Sequence, residues 1–338
     1  FELPQPTGPH VIGTRFLEFV DPSRKEPLTA VLGDNRTFYA QVWYPADRED
    51  GDDRAPYWRE AWKASSIAAA SQGLGFLPFL WSHLGLVRTH AYQDATISSE
   101  ETSYPVVVFS HGYGQIASFN TALLEEIASH GYVVFGLSHP YETPFVVDEN
   151  RQVLQTTPDA DVLAALHEQG SGPTSRVGQL RDTSRLGEMD EMLQHLYRDE
   201  PFWLARTDCW TEDMLFVIDR IPDLSAAQFN NRLDEDRLAV MGWSFGGSAA
   251  GMAALVDSGI TAGVNIDAWQ YGHLLGRNLR APFLFLMSEE HGEANQYFLD
   301  RAEADAYRLS LGGTRHSEFT DLAISAEQPG KLTGRLGD

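Results

Sequence analysis

The chain of 338 residues carries a formal net charge of −23, from 48 acidic and 25 basic side chains, and a surface of that sign repels nucleic acid and anionic membranes. Hydrophobic residues make up 43% and aromatics 11%, ample for a large core, while no apolar run approaches the ~20 residues of a membrane-spanning helix. The single cysteine, Cys209, rules out an intrachain disulfide and a cysteine-based metal cluster.

This length suits one α/β domain with insertions, and a single domain over residues 1–338 is expected. The chain starts at Phe1 and not at methionine, as a processed or trimmed form would, which leaves export open and the compartment unassigned. Residues 11–20 and 37–44 are rich in β-branched and aromatic side chains and predict two early strands. The charged run 46–56, ADREDGDDRAP, predicts a solvated loop. Residues 57–87 hold many large apolar side chains without strand-like alternation, predicting a helical excursion broken near Gly73, Gly75 and Pro78.

Residues 105–109, PVVVF, form a short continuous apolar run of the kind buried in parallel sheets, and Ser110-His111-Gly112-Tyr113-Gly114 follows as its loop. Residues 119–130 then predict a helix stopped at Gly131, and 132–137, YVVFGL, the next buried strand. Such alternation implies a mostly parallel central sheet flanked by helices and linked by right-handed crossovers. Residues 158–200 are charged with helical periodicity and predict a second helical excursion, and 211–221 a helix leading into the next strand.

That strand opens the run 237–250, RLAVMGWSFGGSAA. It joins an apolar strand pattern to a helix-forming stretch through Gly242-Trp243-Ser244-Phe245-Gly246, the nucleophile-elbow pattern. A turn this sharp holds the serine in a strained conformation, and glycines on either side remove the Cβ atoms that would collide there. The hydroxyl of Ser244 then stands above the sheet, and the Phe245 N–H at the helix start points to where charge would develop on an attacked carbonyl oxygen. Residues 260–266, 282–287 and 306–311 are three further strand candidates.

A serine hydroxyl needs a base to take its proton and a third group to orient that base. In this fold class the chain order is serine, acid, histidine. Of the eleven histidines only His273, His291 and His316 follow Ser244. His316, in a loop directly beyond the last strand candidate, is best placed as base, and a surface position suits His273 and His291 better. Two placements remain for the acid: Asp267 after strand 260–266, or Glu289 and Glu290 after strand 282–287. His111 and His139, at strand ends, read as hydrogen bonders that fix loops. Glu289, Glu290 and His291 lack a further ligand at plausible spacing, so neither metal nor cofactor is expected.

The segments Phe109-Ser110-His111-Gly112-Tyr113-Gly114, Ile127-Ala128-Ser129-His130-Gly131-Tyr132-Val133-Val134, Gly242-Trp243-Ser244-Phe245-Gly246-Gly247 and Asp267-Ala268-Trp269 together resemble the platelet-activating-factor acetylhydrolase family of α/β-hydrolases. The resemblance runs from about residue 11 to 319. It implies an α/β-hydrolase fold and a serine esterase, with the acid in an Asp-Ala-Trp segment, hence Asp267, and the histidine in a loop before a phenylalanine, as His316 is before Phe319. It also implies an oxyanion hole from the backbone N–H groups of Phe245 and Tyr113. Trp243 stands where many relatives carry histidine, which bears on the width and polarity of the acyl site.

The expected activity is therefore hydrolysis of a small-molecule or lipid-like carboxylic ester through an acyl-enzyme, with Trp243, Tyr113 and Trp269 against the substrate. Amide, lactone or polyester cleavage would use the same three residues, and a binding protein without turnover would keep only the fold. Residues 67–86 form either a core helix or an apolar rim beside Ser244 that would bury the hydrophobic part of the ester.

Overall fold

The computed structural model describes residues 2–29, 31, 33–49, 51–58, 82–147, 153–154, 186–274, 276–291 and 295–325. In chain order the strands are β1 (Ile12–Lys25), β2 (Asn35–Asp47), β3 (Arg54–Pro56), β4 (Arg88–Gln93), β5 (Thr96–Ile97), β6 (Tyr104–Ser110), β7 (Val133–Ser138), β8 (Val146–Val147), β9 (Val153–Leu154), β10 (Leu233–Trp243), β11 (Ile260–Ile266), β12 (Phe283–Ser288) and β13 (Ala306–Leu311). The longer helices are α1 (Thr121–Ser129), α2 (Leu186–Asp199), α3 (Pro201–Gln228) and α4 (Phe245–Val256). Among the described residues, no helix is long and apolar enough to cross a membrane.

An 11-stranded sheet runs in the order β13-β12-β11-β10-β6-β7-β2-β1-β4-β3, with β5 paired to β2. Every pair from β13 through β7 is parallel, and β2 joins antiparallel to both β7 and β1. The apolar run in β6 is explained by burial on both faces. Val106 and Val108 pack with Met214 and Val217 of α3, while Val107 and Phe109 pack with Leu124 and Ala128 of α1. Alternate side chains point to opposite faces, so a strand covered on both sides has no polar positions to alternate with.

Parallel pairing places the carboxyl ends of β6, β10, β11, β12 and β13 along one edge, where open α/β sheets build their sites. The apolar segment 57–87 and the excursion 158–200 are described only in part. Residues 82–86 form a 3-10 turn and 186–199 lie in α2, while 59–81 and 155–185 fall outside the described residues, and with them most of the expected apolar rim. The charged run 46–56 differs from the expected loop. β2 continues through Asp47, and β3 pairs antiparallel with β4 at the sheet's edge.

α1 carries a carboxylate into the interior. Glu125 is fully buried and accepts hydrogen bonds from the backbone N–H groups of His90 and Ala91 in β4 at 2.8–3.1 Å. Burial pushes its pKa from the usual 4.5 up to about 7, against the pull of those amides. A carboxyl with a raised folded-state pKa favours the fold when protonated, so this contribution is complete below about pH 4.5 and lost as pH rises through about 7. The loss corresponds to on the order of 3 kcal/mol. In urea unfolding at pH 5 and pH 8, the parent chain should lose about that much more stability than Glu125→Gln, whose side chain does not titrate. Equal losses in both proteins would show that Glu125 does not change its charge in this range.

Candidate active site

β10 ends at Trp243 and α4 begins at Phe245, so a single residue turns the chain from strand to helix. That residue, Ser244, has φ 55° and ψ −128°, a strained region for a residue with a side chain. Hydrogen bonds hold it there: its N–H donates to Ile266 O at 2.9 Å and its carbonyl accepts from Gly247 N at 2.8 Å. The turn also lies directly against β6, since a Cβ on Gly246 would come within 2.1 Å of Ser110 O. Only glycine permits that approach.

His316 opens the 3-10 turn His316–Phe319 beyond β13. Its Nε2 lies 2.9 Å from Ser244 Oγ and its Nδ1 2.6 Å from Asp267 Oδ2. Asp267 follows β11 at φ 53° and is 1% exposed. Its Oδ1 accepts the Ser288 N–H at 2.6 Å. Burial raises its pKa, but the imidazoles of His291 and His316 and the Ser288 amide outweigh this and hold the carboxyl well below the usual carboxylate range. An ionised Asp267 fixes the proton of His316 on Nδ1 and leaves Nε2 as the acceptor facing the serine.

The alternative acids lie elsewhere. Glu289 Oε2 accepts the Gly313 N–H at 2.6 Å, which ties down the loop that carries His316, and Glu290 is exposed. His273 has the surface place expected of it, beside Asp208 at 3.2 Å. His291 does not. The 3-10 turn Glu289–His291 at the end of β12 brings its Nδ1 within 3.1 Å of Asp267 Oδ2, without the alignment of a hydrogen bond, and its ring packs on Trp269. The reason is sheet order, since β12 neighbours β11. Asp267, His291 and His316 therefore offer donor atoms that all lie within 4.8 Å of one another, a set drawn from three separate loops that spacing in the sequence did not reveal.

The loop after β6 comes up against the elbow. A Cβ on Gly112 would meet the Trp243 ring at 2.4 Å and Ser244 Cβ at 3.0 Å, so the amide of Tyr113 follows a backbone pressed close to the serine. The Phe245 N–H, in the first turn of α4, has no partner within its helix. The side chains expected at the substrate are placed differently from one another. Tyr113 turns its ring into an aromatic cluster with Trp203, Trp210 and Phe245. Trp243 is 4% exposed, stacks on the His316 ring and donates from Nε1 to His316 O at 3.1 Å, so it buttresses that ring and offers little surface to a ligand. Trp269 is half-buried beside His291.

Beneath the site lies a second serine, histidine and aspartate array. Ser110 Oγ is 2.9 Å from His139 Nε2, and His139 Nδ1 is 2.8 Å from Asp213 Oδ2. All three are fully buried, so no substrate reaches this serine. Burial lowers the pKa of His139, and it pushes His111 down to about 3, with His139 adding to that effect. Both imidazoles are neutral hydrogen bonders, and His111 Nδ1–H donates to Gly112 O at 2.7 Å. Burial raises the pKa of Asp213, but Arg36 and the hydrogen bond from His139 hold it well below the usual range. Asp213 lies on the same stripe of α3 as Trp210, Met214 and Val217. A carboxylate on an apolar stripe was the available signal for this array, because a buried charge needs a partner.

The sequence profile of the family described as platelet-activating factor acetylhydrolase, isoform II, matches residues 1–335. The chain belongs to that family. Its relatives include the platelet-activating factor acetylhydrolase of Cavia porcellus, 25% identical over 322 residues that cover 89% of this chain and 67% of that protein. The Gallus gallus protein of the same name is 23% identical, with 100% of this chain and 79% of that one covered. Among solved structures, a ferulic acid esterase from Streptomyces cinnamoneus superposes with a TM-score of 0.73 at 25% identity, covering 99% of this chain and 86% of that one. The sheet with its flanking helices is the α/β-hydrolase fold, and this member of the acetylhydrolase family is a carboxylic-ester hydrolase.

Proposed function

We propose that the chain cleaves a lipid-like carboxylic ester through an acyl-enzyme on Ser244. The observation that carries this reading is the His316 imidazole bridging Ser244 Oγ at 2.9 Å and Asp267 Oδ2 at 2.6 Å. His316 Nε2 takes the hydroxyl proton as Ser244 Oγ attacks the ester carbonyl, and Asp267 keeps Nδ1–H in place and balances the imidazolium. The amides of Phe245 and Tyr113 donate to the oxyanion of the tetrahedral intermediate. The proton then passes to the leaving alkoxide. Water, deprotonated by the same nitrogen, releases the acid and restores the serine. The cycle draws on no cofactor.

The substrate class is supported by relatives named for platelet-activating factor and for a 1-alkyl-2-acetylglycerophosphocholine, whereas the solved neighbour is named for ferulic acid. Labelling with a fluorophosphonate should modify Ser244, identified by peptide mapping. An acetylated glycerophospholipid should then be turned over with higher kcat/KM than a feruloyl ester, an anilide or a polyester film. Absence of label on Ser244 would overturn the mechanism, and preference for the feruloyl ester would overturn the substrate class alone.

A further inference from the structure

We infer that Asp267, His291 and His316 form a binding site for a divalent transition-metal ion of the zinc class, which switches the serine off. The inference rests on the proposed role of Ser244 and His316 and adds a regulator to that same site. Asp267 Oδ2 has His316 Nδ1 at 2.6 Å and His291 Nδ1 at 3.1 Å, and the three residues' donor atoms lie within 4.8 Å of one another. Zinc binds imidazole nitrogen and carboxylate oxygen at about 2.0–2.2 Å, which places ligand atoms somewhat over 3 Å apart in a tetrahedron. Asp267 Oδ2 and His316 Nδ1, 2.6 Å apart, would separate by somewhat under ~1 Å to reach that spacing.

Three further observations favour an ion here. His291 Nδ1 is buried 3.1 Å from the carboxylate without an aligned hydrogen bond, so coordination would use an atom already turned toward Asp267. The carboxylate is already oriented from behind, because Oδ1 accepts the Ser288 N–H, the kind of outer support that fixes metal ligands. The two imidazole side chains are 19% and 34% exposed, so the cluster lies close to the surface, where a net charge of −23 concentrates cations. A donor set of two imidazoles and one carboxylate selects zinc, cobalt or copper over magnesium and calcium.

Coordination would disable the base by moving a proton, with none gained or lost. For Nδ1 of His316 to give its lone pair to the metal, the ring proton passes through solvent to Nε2. That nitrogen then donates to Ser244 Oγ and cannot take the hydroxyl proton. The bond from Nδ1–H to Asp267 Oδ2 is replaced by two metal–ligand bonds, and water fills the fourth position.

Hydrolysis of p-nitrophenyl acetate by the full chain, in buffered free zinc, should be inhibited at micromolar concentrations, while millimolar magnesium or calcium has no effect. In His291→Phe and His291→Asn, each compared with its own metal-free rate, the inhibiting zinc concentration should rise at least about tenfold. Binding can also be read without turnover. Cobalt(II) added to Ser244→Ala should give the visible absorption of a tetrahedral site at one ion per chain, and Ser244→Ala with His291→Asn should lose it. No cobalt spectrum in Ser244→Ala, or equal zinc sensitivity in parent and both His291 variants, would overturn the site. A cobalt spectrum from a chain whose parent turns over no ester would uphold the metal site and remove the esterase mechanism.

Discussion

Replacing Ser244 by alanine should reduce kcat for p-nitrophenyl acetate by on the order of 10⁴-fold to 10⁶-fold and leave the melting temperature close to that of the parent. The change removes only Oγ. Among the described residues Oγ is hydrogen-bonded to His316 Nε2 at 2.9 Å, and the residue is half-buried, so solvent can take over that hydrogen bond. Alanine has the same backbone restrictions as serine at φ 55°, and the elbow remains fastened by Ile266 O and Gly247 N. The strain is therefore equal in the two proteins and cancels from their comparison. On the proposed mechanism the variant cannot form the acyl-enzyme, and the amides of Phe245 and Tyr113 alone would leave only a weak residual rate. Activity within tenfold of the parent, with the fold intact, would end the reading of Ser244 as nucleophile.

The central strands of the parallel half, β6 and β7, were legible because they are covered on both faces, while β13 is an exposed edge strand. Strands expected at 105–109, 132–137, 260–266, 282–287 and 306–311 lie within one residue of β6, β7, β11, β12 and β13. In β6 and β7 a continuous apolar run of that length leaves few other solutions. β4, with the sequence RTHAYQ, was not legible. Thr89 and His90 are polar yet buried, and they are satisfied by Ala55 O and Leu3 O, partners far away in the chain. Hydrophobic periodicity cannot see such an exchange of hydrogen bonds. The helix expected at 211–221 extends in both directions to Pro201–Gln228, and on the N-terminal side Arg206 interrupts its apolar stripe with a charge paired inside by Glu142.

The elbow and the residues around it were legible for a different reason. A serine between glycines at a strand-to-helix junction is a local pattern, and chain order narrowed the histidines to three. His291 escaped because its meaning depends on β12 lying beside β11, and strand order is a property of the whole sheet. Trp243 was expected against the substrate because it stands where many relatives carry histidine. Its backbone still belongs to β10, however, and strand geometry points its side chain down into the packing beneath His316, away from the turn.

For Asp267→Asn the expected loss in kcat is on the order of 10⁴-fold, far above that for Glu289→Gln or Glu290→Gln. The carboxylate serves two donors with two oxygens: Ser288 N–H at 2.6 Å on Oδ1 and His316 Nδ1 at 2.6 Å on Oδ2. Asparagine has one carbonyl oxygen for both. Ser288 is fully buried, and leaving its amide without an acceptor costs about 1–3 kcal/mol, so the carbonyl should stay there and the NH2 should face His316. Two donors cannot share that contact, and Nδ1 must become the acceptor. The ring proton then sits on Nε2, directed at Ser244 Oγ, and the imidazole can neither take the hydroxyl proton nor be stabilised as imidazolium. Glutamine at 289 keeps a carbonyl oxygen for the Gly313 N–H, so the loop of His316 should stay in place and kcat should fall by less than about tenfold. Steady-state rates of the three variants on one ester decide the matter. If Glu289→Gln or Glu290→Gln proved more damaging than Asp267→Asn, the orienting acid would belong to the end of β12, and Asp267 would lose that role.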